Sequence, residues 1–241
     1  MSDQPIVLPV SGHAELRIST RSGRIAVTAE ERADIRIESD APLRDDKIET
    51  DATGLVRVAS ARGGSGRLDI RCPAGTDVVA GAVSGKVELR GRLGEVRVTT
   101  VSGSIDVERA ESLDARSISG SITVEHCSGR CRLQTKSGRV TCKTAGDAQL
   151  STMSGKIELT EATGSVRAQS TSGKVQVATQ GKGDVAVQTL SGAVTVALPE
   201  GVRPAAKLRS MTGRPRCDCE EGDDVKISVQ TMSGKIEVVP G

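Results

Sequence analysis

From Val83 to Pro240 apolar and polar residues alternate, and the alternation restarts after every Ser-Gly or Thr-Gly pair. Counted from the glycine, the second residue on is Val87, Ile105, Ile122, Val140, Ile157, Val175, Val194, Pro215 or Ile236. The fourth is Leu89, Val107, Val124, Cys142, Leu159, Val177, Val196, Cys217 or Val238. Counted back from the next glycine, the seventh residue is Val96, Leu113, Cys131, Ala148, Val166, Val185, Ala206 or Ile227, and the fifth is Val98, Ala115, Leu133, Leu150, Ala168, Val187, Leu208 or Val229. A period of two is that of a strand with one buried face, so each repeat holds two strands. The three-and-four spacing of an amphipathic helix is absent.

The glycines, from Gly85 to Gly234, lie 18, 17, 18, 17, 18, 19, 21 and 21 residues apart. Such a repeat marks an architecture of stacked equivalent units. One strand pair cannot close a core, but copies stacked in parallel at about 4.8 Å join their apolar faces into columns. The pattern predicts an all-β, parallel β-solenoid of about 17–21 residues per coil. The crossover rule makes it right-handed. Segments such as Arg90-Gly91-Arg92-Leu93-Gly94 are turns or a short third face. Glycine supplies the positive φ of the bend into each strand. The hydroxyls just before each pair, from Thr100 to Thr231, are expected to hydrogen-bond as ladders.

Residues 1–62 read as early coils plus a cap, and residues 63–241 as one run of solenoid repeats. In the cap, Ile6–Leu8, Glu15–Ile18, Gly23–Val27, Ile35–Ile37 and Leu55–Val58 read as strands, and Asp40–Asp51 as a loop. Two segments break the period: Cys72-Pro73-Ala74-Gly75 and Leu198-Pro199-Glu200-Gly201. They read as one longer coil used twice. The identical Thr-Met-Ser-Gly-Lys-Ile-Glu at 152–158 and 231–237 indicates internal duplication. The chain closes on a strand where Pro240 denies a donor to a further rung.

The composition contains no Phe, Trp or Tyr. A thin interior of β-branched residues tolerates this; a globular core would not. With 33 basic and 31 acidic residues the net charge is +2, which implies no large electrostatic partner. No leader-like segment and no run of 18 apolar residues is present, so the expectation is a cytoplasmic chain without a membrane span.

Candidate chemistry is sparse. Cys131, Cys142 and Cys217 hold inward positions and read as small hydrophobes. Metal binding by His126, Cys127 and Cys131, or by Cys217 and Cys219, lacks the doubled ligand pairs of structural zinc. His13 and His126 fall in or near turns and suggest no triad. Glu88, Asp106, Glu158 and Glu237 share an outward position beside Lys86, Arg139, Lys156, Lys174 and Lys235, which reads as a charge-balanced wet face. Arg97, Arg132, Arg167 and Lys207 make a basic stripe interrupted by Asp114, Gln149 and Ala186. Without aromatic rings it cannot stack on bases. Arg62-Gly63-Gly64-Ser65-Gly66-Arg67 precedes a strand, so no helix N-terminus faces a phosphate. No catalytic, cofactor-binding or metal residue is assigned.

The Ser-Gly-x-Val-x-Val repeats, entered through Pro73-Ala74-Gly75-Thr76-Asp77, resemble the bacterial β-strand repeat proteins known as candidate adhesins. The resemblance covers roughly residues 10–240 and implies a β-solenoid with a domain of unknown function. Bactofilins, polymer-forming solenoids, are similar more distantly. The expected function is a non-catalytic structural or interaction scaffold that binds a protein or assembles with itself. The alternatives are a cell-surface adhesin and, further off, a glycan-acting solenoid enzyme.

Overall fold

The computed structural model describes residues 5–10, 12–40, 48–50, 55–59 and 66–241. By contacts the chain divides into two compact units, Met1–Gly120 and Ser121–Gly241. Both are β-solenoids built as the alternation predicts. Among the described residues no helix is long and apolar enough to cross a membrane.

The first unit contains β1 (Ile6–Pro9), β2 (Glu15–Ser22), β3 (Ile25–Glu30), β4 (Asp34–Ser39), β5 (Ile48–Thr50), β6 (Leu55–Ala59), β7 (Leu68–Pro73), β8 (Asp77–Ser84), β9 (Val87–Thr100) and β10 (Ile105–Ser117). Its strands form two sheets. The strands that lead into a corner glycine stack in parallel in the order β6, β2, β8, the second half of β9, and the second half of β10. Those that follow the glycine stack as β7, β3 and the first halves of β9 and β10. Leu16, Ile25, Val87, Val96 and Ile105 are fully buried between them.

The outermost rung, β6 with β7, is closed by antiparallel strands. β4 pairs with β7, β1 with β4, and β5 with β6. This is the predicted cover over an open first rung. Two details differ from expectation. Ile48–Thr50 is a strand inside the stretch read as loop. Also, the first coil is not the end rung: β2 and β3 lie inside β6 and β7. Of the glycine-rich segment, residues 62–65 lie outside the described residues.

The second unit contains β11 (Ile122–Ser137), β12 (Val140–Ser154), β13 (Ile157–Ala162), β14 (Val166–Ser172), β15 (Val175–Thr179), β16 (Val185–Ser191), β17 (Val194–Leu198), β18 (Pro204–Ser210), β19 (Pro215–Cys217), β20 (Val225–Ser233) and β21 (Ile236–Pro240). One sheet, here called sheet A, stacks β11, β12, β14, β16, β20 and β18. Sheet B stacks β11, β12, β13, β15, β17, β21 and β19. All these pairings are parallel. The last coil in sequence, β20 with β21, therefore sits inside the coil before it. Pro240 opposes Leu198 in register and does not terminate the stack, contrary to the reading from the chain's final residues.

The two Pro-x-Gly segments now have a reason. After Pro73 the chain passes from β7 over the β2–β3 rung to β8, and after Leu198 it passes from β17 over the β20–β21 rung to β18. Each is a step of two rungs, about 9.6 Å at the usual strand spacing. Gly75 and Gly201 take φ of 80° and 83° at these turns. The bend between sheets resolves as a paired strand segment. It turns one residue per rung inward, such as Leu93 and Ala110, or Cys127, Ala145 and Ala162, all buried.

At the tight corner the glycines are needed chiefly because they stack on one another. A Cβ on Gly103 would lie 1.7 Å from the carbonyl oxygen of Gly85, and one on Gly155 would lie 1.9 Å from that of Gly138. Positive φ is a second, partial cause: Gly155 has it, while Gly103 does not. The expected hydroxyl ladder is also corrected. Thr100, Ser117, Thr152, Ser170 and Thr231 are buried at this corner, yet their hydroxyls make no hydrogen bond. At 4.8 Å a side chain fixed by its χ1 well does not reach its copy, and Thr189 turns instead to its own strand's Ser191 carbonyl at 3.4 Å.

Two measurements check this arrangement. Thr195 and Glu237 are register neighbours, as are Glu237 and Arg216. T195C/E237C is expected to form a disulfide on mild oxidation, and T195C/R216C, two rungs apart, is not. The reverse result would restore sequence order to the stack. Gly155→Ala is expected to lower stability by about 3 kcal/mol or more in denaturant melts, against about 0.5 kcal/mol for the exposed neighbour Ser154→Ala.

Candidate functional site

The outward positions of sheet A in the Ser121–Gly241 unit fall six, four and two residues before each corner glycine. In stack order the first column is Arg132, Gln149, Arg167, Ala186, Ser228 and Lys207. The second is Gln134, Ser151, Gln169, Gln188, Gln230 and Arg209. The third is Lys136, Met153, Thr171, Leu190, Met232 and Met211. Five of these residues are cations and none is a carboxylate. The rung order changes the basic stripe read from sequence: Ser228 stands between Ala186 and Lys207, so the stripe is broken further.

The third column is mostly apolar, and it faces solvent. Met153, Leu190, Met232 and Met211 are 49–77% exposed. They border an open groove of about 930 Å³ whose middle is the Gln169, Gln188 and Gln230 ladder. An exposed apolar line beside neutral amides, free of acids, is the composition of a protein-binding surface, in which Met and Arg are enriched and Asp and Glu depleted. In the Met1–Gly120 unit Val83, Val101 and Ile118 hold the same corner position and are also exposed.

Sheet B is charged instead. Lys156 pairs with Glu158 at 2.7 Å and Lys143 with Glu125 at 2.9 Å, and Lys235 pairs with Glu237. The corresponding face of the first unit holds Glu88, which is 7% exposed and bound by Arg24 and by Lys86 at 2.6 Å. Lys86 also reaches Asp106 at 2.7 Å. The Lys86 ammonium, then Arg24, hold the Glu88 carboxyl below the usual range against the effect of burial. The balanced face read from the sequence is present, with one of its acids drawn under the surface.

The cysteines separate into two groups. Cys127, Cys131 and Cys142 are buried. The Cys131 thiol touches both others, which push its pKa well above the usual thiol value. Burial pushes Cys72 up to about 11. Protonated thiols of this kind are poor nucleophiles and poor ligands. His126 is exposed and points away from Cys127, which is buried. Cys217 shares the register of buried Val238 but is itself exposed, because among the described residues no strand covers its rung. Among the described residues no group of three or more His, Cys, Asp or Glu could hold a metal ion. His13 is not free: its Nε2 lies 2.8 Å from Asp77 Oδ2, and that hydrogen bond raises its pKa. Asp224 accepts the Arg203 backbone N–H at 3.0 Å, so it pins a loop and forms no carboxylate dyad.

The model of the Toastrack DUF4097 family matches residues 6–239. The chain belongs to this family. The Toastrack match spans both units, in accord with the resemblance drawn from the repeats. A candidate adhesin from Parabacteroides distasonis is 10% identical, with 99% of this chain and 96% of that one covered, at a TM-score of 0.41. One from Bacteroides fragilis is 15% identical over 98% of each chain at 0.33, and one from Parabacteroides merdae is 11% identical over 99% and 95% at 0.36. Likenesses this distant carry no functional argument. No curated protein matches.

The Glu88 contacts give a pH test. A carboxylate whose folded pKa is depressed contributes stability above its unfolded pKa, near 4.3, and loses it as pH falls through the folded value. Glu88→Gln is expected to cost about 1–3 kcal/mol at pH 7 and to approach the wild type as pH drops below about 4. Stability curves that stay parallel from pH 7 to pH 3 would count against the burial of this ion pair.

Proposed function

We propose that this Toastrack chain is a non-catalytic docking scaffold, and that sheet A of the Ser121–Gly241 unit binds an acidic surface of another protein. One observation carries the reading: eighteen outward positions on six stacked strands hold five cations, an exposed Met and Leu line and no carboxylate. The rungs stack at about 4.8 Å, so six of them present a face about 24 Å long. A cationic, acid-free face steers acidic partners and repels basic ones. The thioethers of Met153, Met211 and Met232 adapt to the partner's contour. Rigid strands hold every position, so little ordering entropy is lost on binding.

The reading is tested by capture from a lysate of the native host, with the full chain as bait and salt raised stepwise. Arg167→Glu combined with Gln188→Glu and Leu190→Asp is expected to lose partners that Lys156→Glu on sheet B retains. Partners equally retained by both variants would defeat the assignment of this face. Turnover of a glycan by the purified chain would defeat the non-catalytic reading. Fractionation of native cells separates it from the adhesin alternative, since protein found wholly on the cell surface favours adhesion.

A further inference from the structure

Among the described residues the outermost rung of the second unit is left open: β18 pairs only with β20, and β19 only with β21, so each presents an unpaired edge. Its core positions are uncovered. Ala206, Pro215 and Cys217 are exposed and Leu208 is half-buried, while their register partners Ile227, Ile236, Val238 and Val229 are buried. Met211 is the most exposed large hydrophobic residue among those described, at 77%. The end rung of the first unit is closed by β4 and β5, with β1 laid on β4, and among the described residues no comparable strand closes this one.

Charge on this rung is divided between its two ends. Towards the corner lie Lys207, Arg209 and Arg214, all exposed and without an ion pair among the described residues. In the loop at the opposite end lie Glu220, Glu221 and Asp223, likewise exposed and unpaired. Arg203 and Arg216 are already matched, with Asp224 and Asp218.

We propose that this open end docks the same end of a second copy of the chain about a two-fold axis. Two such axes run perpendicular to the stack. One places corner over corner and acidic loop over acidic loop, so like charges meet. The other reverses the rung end for end. It sets β18 antiparallel to β18 of the second copy and β19 antiparallel to its equivalent. Each acidic loop then lies over the other copy's Arg209 and Arg214. Charge selects the second axis. It pairs both open edges, covers Leu208, Pro215 and Cys217, and is self-complementary as an isologous contact requires. The contact closes at two copies. It shares Lys207 and Arg209 of β18 and the adjoining Met211 with the docking face of the preceding section and leaves the other five strands of that face uncovered, so loss of the dimer and loss of binding at Arg167, Gln188 and Leu190 are read independently.

The test uses the full chain in sedimentation and light scattering across a concentration series. A monomer–dimer equilibrium is expected, weakened by salt. Glu220→Lys/Glu221→Lys/Asp223→Lys is expected to weaken the dimer at least about 30-fold, because like charges then meet. Adding Lys207→Glu/Arg209→Glu/Arg214→Glu to the same chain is expected to restore it. Unchanged thermal melting of the loop variant, whose three side chains are exposed, shows that folding is intact. Mild oxidation is expected to trap a dimer through Cys217, and Cys217→Ser is expected to abolish the trap. A monomer at every concentration, a dimer indifferent to the loop reversal, or species that grow beyond two copies would each overturn the proposal. The Arg167→Glu/Gln188→Glu/Leu190→Asp variant is expected to leave the dimer intact, which keeps the two readings distinguishable.

Discussion

Within each unit, at the tight corners from Gly85 to Gly120 and from Gly155 to Gly234, the backbone of one glycine lies against the carbonyl of the glycine in the neighbouring rung, with less than 2 Å between that oxygen and the place of a Cβ. Strands elsewhere in the rung tolerate side chains because alternate residues point in and out. At the corner no direction is free. Only glycine allows the chain to turn from one sheet to the other while holding the rung spacing, so the corner column sets the pitch for everything above and below it. The repeat length, the aligned aliphatic columns and the exact superposition of polar ladders follow from that contact.

A flattened coil with this pitch has an interior only two side chains deep. Val, Ile, Leu, Ala and Cys fill it, and the absence of aromatic residues carries no penalty there. The outside is then read in columns, because the same position in each rung sits above its copy. On sheet B a basic column lies beside one that carries Glu158 and Glu237, and Lys156 and Lys235 pair with these acids along their own strands, which keeps that face wet. Columns of Gln, Met and Arg make sheet A of the second unit a face that has no acid to repel an acidic partner.

In each unit the stack of rungs reaches an end, and the two units manage theirs differently. In the first unit β4 and β5 lie antiparallel on the outer edges of β7 and β6, and β1 pairs with β4. In the second unit the coil Pro204–Cys217 stands outermost with its core positions open and its charges divided. In both units the outermost rung is not the one that sequence order would place there. The coil reached first or last by the chain lies one rung in, held on both sides, and the exposed position falls to its neighbour. A coil gripped from both sides frays less than an end coil, so the chain's outer segments are secured by this exchange.

The residues alone determined what is periodic: two strands per repeat, parallel stacking, inward Val, Leu and Ile, and the glycine corners. Each rests on local alternation, and alternation is visible in a single repeat. The cover over the first rung was legible as irregularity, though the strand Ile48–Thr50 was hidden in a polar stretch. Rung order was decided only by the tertiary structure. Every rung offers the same backbone edges and the same aliphatic faces to any other, so β16 matches β20 as well as β18 by local pattern. Pro73 and Pro199 announce that a step is unusual, but not that it spans two rungs. The acid-free face and the open end depend on which rungs are neighbours and which has none, and that information exists only once the coil is stacked.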